Sequence, residues 1–239
     1  MIFDVIAFDA DDTLWHTEHL YSEAKRKLAE LLASYTDTSM LDARLDAIEI
    51  GNLDVYGYGV KSFTLSMIEV AVTLTEGRIT GDEVLQIVEL ARSMLTSDVE
   101  LLDHVEETLR TLAGTYPLMV ITKGDASEQV PKLARAGLLD TFPAVEVVGS
   151  KTEEVYRRLL AKHAIAPERF LMVGNSLKSD ILPVLALGGT GVYVPSEVLW
   201  SHEHVEHPPT DHVRYYELAH IGELPGLVER LAGGHHGSI

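Results

Sequence analysis

The sequence contains no cysteine, which removes disulfides, thiolate metal sites and cysteine nucleophiles from consideration. It is also poor in basic residues: 19 Lys and Arg stand against 37 Asp and Glu, a formal charge of −18. Nucleic acid or an anionic membrane surface needs a positive face, so neither is an expected partner. Long apolar runs are missing as well; no stretch approaches the roughly 20 residues of a membrane-spanning helix. The first apolar run is short and carries Asp4 and Asp9, so no signal peptide is read there and a cytoplasmic, soluble protein is expected. An anionic ligand would be repelled at long range unless its site supplied local cations.

What is present is a chain of 239 residues with 46% hydrophobic content, enough for one large core and a smaller insert. Short runs that are apolar at consecutive positions recur at Val5–Phe8, Leu118–Thr122, Val145–Val148, Phe170–Val173 and Gly191–Val194. Runs of this kind suit strands covered on both faces, as in a parallel sheet. Helix-period segments lie between them at Val99–Leu112, Ala126–Ala136, Thr152–His163 and Lys178–Leu187. Strands alternating with helices predict an α/β fold with a doubly wound, Rossmann-like parallel sheet.

One interval breaks the alternation. Between about Thr17 and Ser97 the pattern predicts four helices, Glu18–Ser34, Thr38–Ile50, Ser62–Thr75 and Gly81–Leu95. Gly51-Asn52, Gly57 to Gly59 and Gly77 read as punctuation between them, and Thr80 opens the last. The expected organisation is therefore a core of residues 1–15 and 98–239 with an all-α helical-bundle insert at 16–97. The tail Gly233–Ile239 is expected to fray.

The chemistry gathers at strand ends. In a parallel α/β sheet, ligands bind beyond the carboxyl ends of the strands, and Asp9 emerges there, with Asp11, Asp12 and Thr13 following. Side chains two apart on extended backbone share a face, so Asp9 and Asp11 can reach one substrate: one carboxylate to attack, the other to handle the leaving-group proton. Such crowding calls for a cation, and Mg²⁺ is the usual partner of carboxylate and phosphate oxygens. A polar turn capping the next helix would explain an isolated Asp pair equally well. This pair, however, has counterparts on other strands. Thr122 ends the second, with Gly124 placed to let backbone N–H groups approach a phosphate oxygen. Lys151 follows the third and is positioned to neutralise nucleophile and phosphate together. The fourth runs into Gly174, Asn175 and Ser176, with Asp180 five residues after Asn175, an oxygen set suited to a cation.

Together these four segments resemble the haloacid dehalogenase superfamily of phosphohydrolases. Its Asp-x-Asp-x-Thr motif is matched by Asp9-Ala10-Asp11-Asp12-Thr13, its strand-ending Thr or Ser by Thr122, its Lys by Lys151, and its final acidic pattern by Gly174-Asn175 to Asp180. The helical insert resembles the subclass I cap. The resemblance implies a phosphatase for a small phosphorylated metabolite in which Asp9 forms an aspartyl-phosphate and Asp11 protonates the leaving group, then activates water. It further implies substrate contacts from Asp12, Thr122, Lys123, Gly124 and Lys151, and Mg²⁺ held by Asp9, Asp11 through its backbone carbonyl, Asn175 and Asp180.

Two departures stand out. Asn175 replaces the usual first acid of the last motif, which dehalogenating members also do; those members, however, lack the acid found here at Asp11. Lys123 and Asp125 replace a common Asn-Gly, which predicts an added cation at the phosphate pocket. A phosphomutase, a 2-haloacid dehalogenase, a phospho-receiver and an inactive binding protein are the alternatives; monomer and homodimer are both open. The histidines at 202, 204, 207 and 212 have no regular spacing and lie in a Pro-containing loop, so a physiological metal site is discounted there. Trp15 and His16 read as packing at the entry to the insert, and Tyr56 and Tyr58 as possible substrate-facing residues.

Overall fold

A computed structural model describes residues 2–196, 200, 203, 205 and 208–233. Of the histidines in the 202–212 segment, only His212 falls among them. The chain divides into two compact units, one of residues 1–16, 99–123 and 129–239, the other of 17–98 and 124–128.

The first unit is a parallel sheet. Its strands are β1 (Val5–Phe8), β2 (Leu118–Lys123), β3 (Ala144–Val148), β4 (Phe170–Gly174), β5 (Thr190–Tyr193) and β6 (Tyr215–Glu217), in the order β3-β2-β1-β4-β5-β6. The first strand in sequence is thus central: Phe8 lies opposite Val120 of β2 and Val173 of β4. The strands are apolar on both sides because both faces are covered. Ile6, Phe8, Val120 and Val173 pack in one cluster, and Ala7, Met119, Ile121 and Met172 in another. Each fully buried Ile, Phe or Met contributes about 1.5–3 kcal/mol of transfer free energy.

Helices α1 (Glu18–Leu32), α2 (Leu41–Tyr56), α3 (Val60–Leu74) and α4 (Gly81–Thr96) form the second unit. Leu28, Leu32, Leu45, Phe63, Met67 and Ile87 meet in its core. The start of α4 is fixed by a capping box: the Thr80 hydroxyl accepts from the Glu83 N–H while the Glu83 carboxylate accepts from the Thr80 N–H. Back in the first unit lie α5 (Val105–Ala113), α6 (Ala126–Arg135) from Gln129 onward, α7 (Glu153–Lys162), α8 (Leu182–Ala186) and α9 (Leu224–Gly233). None of the described helices is long and apolar enough to cross a membrane.

Four local expectations are corrected. Helix α2 runs through Gly51-Asn52 instead of stopping at Ile50; a Gly costs about 1 kcal/mol in a helix, and the Asn52 side chain offsets this by donating to Ser66 and Glu69 of α3. Helix α5 begins at Val105 rather than Val99, because Leu101 bridges Trp15 in extended form and His104 adopts a left-handed φ of 68° before the first turn. The segment after β4 opens as a π turn, Leu177–Ile181, before α8. Strand β6 and helix α9 were not anticipated: three residues at a sheet edge give too short a pattern to read, although Tyr215-Tyr216 is a strand-forming pair.

Candidate active site

The carboxyl ends of β1, β2 and β4, together with the segment following β3, bring the expected acids and cations together. Asp9 follows β1 directly and its N–H donates to the Val173 carbonyl, so β4 pins the backbone that presents it. One carboxylate oxygen, Oδ1, takes the Lys151 ammonium at 2.5 Å, and the other, Oδ2, accepts from the Thr13 hydroxyl at 3.0 Å. Asp12 turns the chain back with φ 56°, its N–H donating to the Trp15 carbonyl.

Lys151 occupies the connection between β3 and α7, held by the Thr152 N-cap, whose hydroxyl accepts from the Val155 N–H. Its side chain is only 1% exposed and bridges Asp9 and Asp180, the latter at 2.6 Å. Burial by itself would push the ammonium down, but the Asp180 and Asp9 carboxylates hold it above its ordinary value. Asp180 is pushed up, first by burial and also by the charge of Asp9, with Lys151 opposing. One cation between two buried carboxylates leaves a surplus negative charge, and the two shifts are consistent on that account.

Asp180 is packed to its limit. Oδ1 faces Lys151 and Oδ2 accepts from the Ser176 N–H at 3.0 Å. A Cβ at position 174 would overlap the Asp180 carboxylate, so Gly174 is the residue that allows the acid to sit there. Behind the group, Tyr156 is fully buried and donates to the Ser179 carbonyl. Burial and then the two acids push its phenol well above the ordinary value, so it stays neutral.

Asn175 lies at the same edge. Its amide N–H donates to Ser196, and its oxygen accepts from Thr13 at 3.4 Å. The single Thr13 hydroxyl therefore spans an oxygen of Asp9 and the oxygen of Asn175. Among the described residues, no three His, Asp or Glu side chains converge as a metal site on their own. With the Asn175 amide included, the donors are all hard oxygens, which fits a cation of the Mg²⁺ type and not a soft metal.

Thr122 is buried, its hydroxyl 3.3 Å from the Lys123 carbonyl; Gly124 beside it has φ 128°, a conformation that suits only glycine. Lys123 is engaged: its ammonium lies 2.5 Å from Glu203 and 3.1 Å from Ser179. The added cation expected at this pocket thus comes with a counter-ion. Glu203 is 6% exposed and also accepts from Ser176 and Ser179. Burial would raise its pKa, yet Lys123 and the two hydroxyls bring it down to about 2.

Sequence reasoning missed Glu203, Gln129 and Lys132. Glu203 lies in the His-rich segment set aside for its irregular spacing. Gln129 and Lys132 contact Asp11: Gln129 Nε2 donates to Oδ2 at 2.6 Å, and Lys132 Nζ lies 2.5 Å from Oδ1. Their spacing of three residues on an amphipathic helix after β2 was the available signal. Trp15 is buried as packing predicts, and its indole N–H also donates to Asp11 at 2.8 Å. Tyr56 is half exposed on α2.

The profile of haloacid dehalogenase-like hydrolases matches residues 3–188. A haloacid dehalogenase-like family hydrolase from Xanthomonas campestris is 38% identical, with 99% of this chain and 95% of that one covered and a TM-score of 0.87. A HAD-hydrolase from Bacillus subtilis bound to magnesium is 18% identical over 96% of this chain and all of that one, with a TM-score of 0.68. A 2-haloacid dehalogenase from Pseudomonas syringae is 22% identical over 96% and 99%, with a TM-score of 0.64. The last two likenesses are of fold alone. No curated protein matches the sequence.

Proposed function

The chain belongs to the haloacid dehalogenase-like hydrolases, and from that premise we propose that it is a Mg²⁺-dependent phosphatase for a small phosphorylated metabolite. The observation that carries the reading is the pair of acids Asp9 and Asp11, with the Lys151 ammonium buried against the first. A dehalogenating site has one acid at this turn; a phosphoryl-transfer site needs the second for the leaving-group proton.

The reaction proceeds in two displacements. An Asp9 carboxylate oxygen attacks phosphorus while Asp11 delivers a proton to the departing ester oxygen, leaving an aspartyl-phosphate. Lys151 neutralises the attacked phosphoryl group and holds Asp9 in line, and Thr122, Gly124, Asp12 and Lys123 line the phosphate. Water then attacks phosphorus, the Asp9–phosphate bond breaks, and Asp11 takes the proton of the water. Asp9, the main-chain carbonyl of Asp11, Asn175 and Asp180 would hold Mg²⁺, which supplies positive charge against the phosphoryl oxygens.

Incubation with p-nitrophenyl phosphate and Mg²⁺ tests the reading. Phosphate release is expected from the native chain, with a loss of at least about 10³-fold in Asp9→Asn and in excess chelator. No release from the native chain would exclude the phosphatase; release untouched by Asp9→Asn would exclude the nucleophile. Asn175 favours a second reading, a 2-haloacid dehalogenase, and chloride release from 2-chloropropionate without phosphate release would establish that one instead.

A further inference from the structure

Asp11 is more heavily restrained than a residue with two proton transfers to perform requires. Its Oδ1 receives the Trp15 indole N–H at 2.8 Å and the Lys132 ammonium at 2.5 Å, and its Oδ2 receives the Gln129 amide at 2.6 Å. Every one of these partners is a donor. Gln129 and Lys132 stand three residues apart on α6, one turn, and so present neighbouring side chains to the same carboxylate. The same Gln129 amide donates to the Lys123 carbonyl at 3.1 Å, which ties the carboxylate to the end of β2. Lys132 also lies 5.6 Å over the Trp15 ring, so cation, indole and carboxylate form a closed set.

The arrangement comes at a cost that shows what it is for. Gln129 is 7% exposed, and its amide oxygen is buried with no hydrogen-bond partner among the described residues. An unsatisfied buried acceptor costs about 1–3 kcal/mol. The amide keeps this orientation because the opposite one would turn oxygen against oxygen at both Asp11 and the Lys123 carbonyl. Its two donated bonds therefore outweigh the orphaned acceptor.

We infer that Gln129 and Lys132 are positioning residues that hold the Asp11 carboxylate as a proton acceptor for the second displacement, the attack of water on the Asp9 phosphoryl group. In that step the water oxygen bonds to phosphorus, the Asp9 oxygen–phosphorus bond breaks, and the water proton passes to a carboxylate whose orientation α6 has set. The inference rests on the phosphatase reading above and adds the residues that govern breakdown of its intermediate. A carboxylate free to rotate would still serve a good leaving group in the first displacement, because such a group departs without a proton.

A KM-against-kcat comparison with p-nitrophenyl phosphate separates this role from a structural one. For a two-step enzyme kcat/KM reports formation of the phosphoenzyme and kcat its slower breakdown. In Lys132→Met and Gln129→Leu, kcat is expected to fall about 10- to 100-fold, within the range of general base catalysis. KM should fall in parallel, kcat/KM should stay within about threefold, and a burst of nitrophenolate should precede the slow phase. Lys132→Arg, which keeps a cation, should recover most of kcat. If kcat/KM falls as far as kcat, or if no burst appears while Lys132→Arg is as slow as Lys132→Met, the inference is overturned. A native chain that releases no nitrophenolate overturns the phosphatase reading itself, a different result from a native chain that turns over and variants that show no split.

Discussion

Each unit buries charge, and the two do so by different rules. In the sheet unit Lys151 is 1% exposed, with a carboxylate on either side. In the helical unit the corresponding contact is Lys25 with Asp46, 19% and 26% exposed, at 2.9 Å. A pair in water gains little, since solvent screens it and the side chains lose freedom. A pair taken out of water cannot lose one member without leaving an uncompensated charge inside. The carboxylates behave likewise. Glu203 is brought down to about 2 despite burial because Lys123 and two hydroxyls answer it. Glu49, on α2, is raised to about 7, since burial outweighs Lys25 and the charge of Asp46 adds to it. Burial sets the stakes for a charge; the partners decide the sign.

Lys151→Met should have the largest effect on this contrast. Removing the shared cation leaves Asp9 and Asp180 facing each other, a loss of about 3–5 kcal/mol in denaturant unfolding, along with the activity. Lys25→Met is the matched control and should cost no more than about 1 kcal/mol. Similar losses in both would break the distinction drawn between the units.

Glu49→Gln sharpens it through pH. The folded-state pKa of Glu49, about 7, stands above its ordinary 4.5, so the folded protein binds this proton more tightly than the unfolded chain. The native protein therefore loses stability as pH rises from about 4.5 to 7 and carries the full penalty above 7. The variant should be more stable at pH 8, by on the order of 1 kcal/mol, and indistinguishable at pH 4. Glu203 has the opposite sign: its contribution is complete above about 4.5 and fades as pH falls toward 2. Thermal unfolding at the two pH values checks the crossing. A local effect of about 1 kcal/mol is expected for Thr80→Ala, which removes one side of the capping box at α4 and should leave the rate with p-nitrophenyl phosphate unchanged.

Much of the sheet and of the candidate site could be read from the sequence, because both are written locally. Strands covered on both faces give unbroken apolar runs, and a polar group at a strand end follows such a run directly, as Asp9, Thr122 and Asn175 do. The unread parts depend on what arrives from elsewhere. Nothing near Gly51 announces that Asn52 will find Ser66 and Glu69 on the next helix. Nothing around residue 203 announces a counter-ion for Lys123, since the pairing joins positions 80 apart in the chain. Asn175 illustrates the middle case: its departure from the acidic pattern was visible, but its engagement by Thr13 and Ser196 was not.

The central place of β1 also has a consequence in time. Asp9 is synthesised before both neighbours of its strand: the strand on one side begins at residue 118 and that on the other at residue 170. Its counter-charge, Lys151, comes 142 residues after it. At a translation rate of about 5–20 residues per second, the Asp9 carboxylate waits roughly 7–30 seconds between its own synthesis and that of the lysine that will neutralise it. The sheet cannot close around β1 before β4 exists, so a ribosome-bound chain arrested before residue 170 should carry no trace of the site. Long-range pairing of this kind is slow as well as late, so assembly of this edge of the sheet must follow the synthesis of β4.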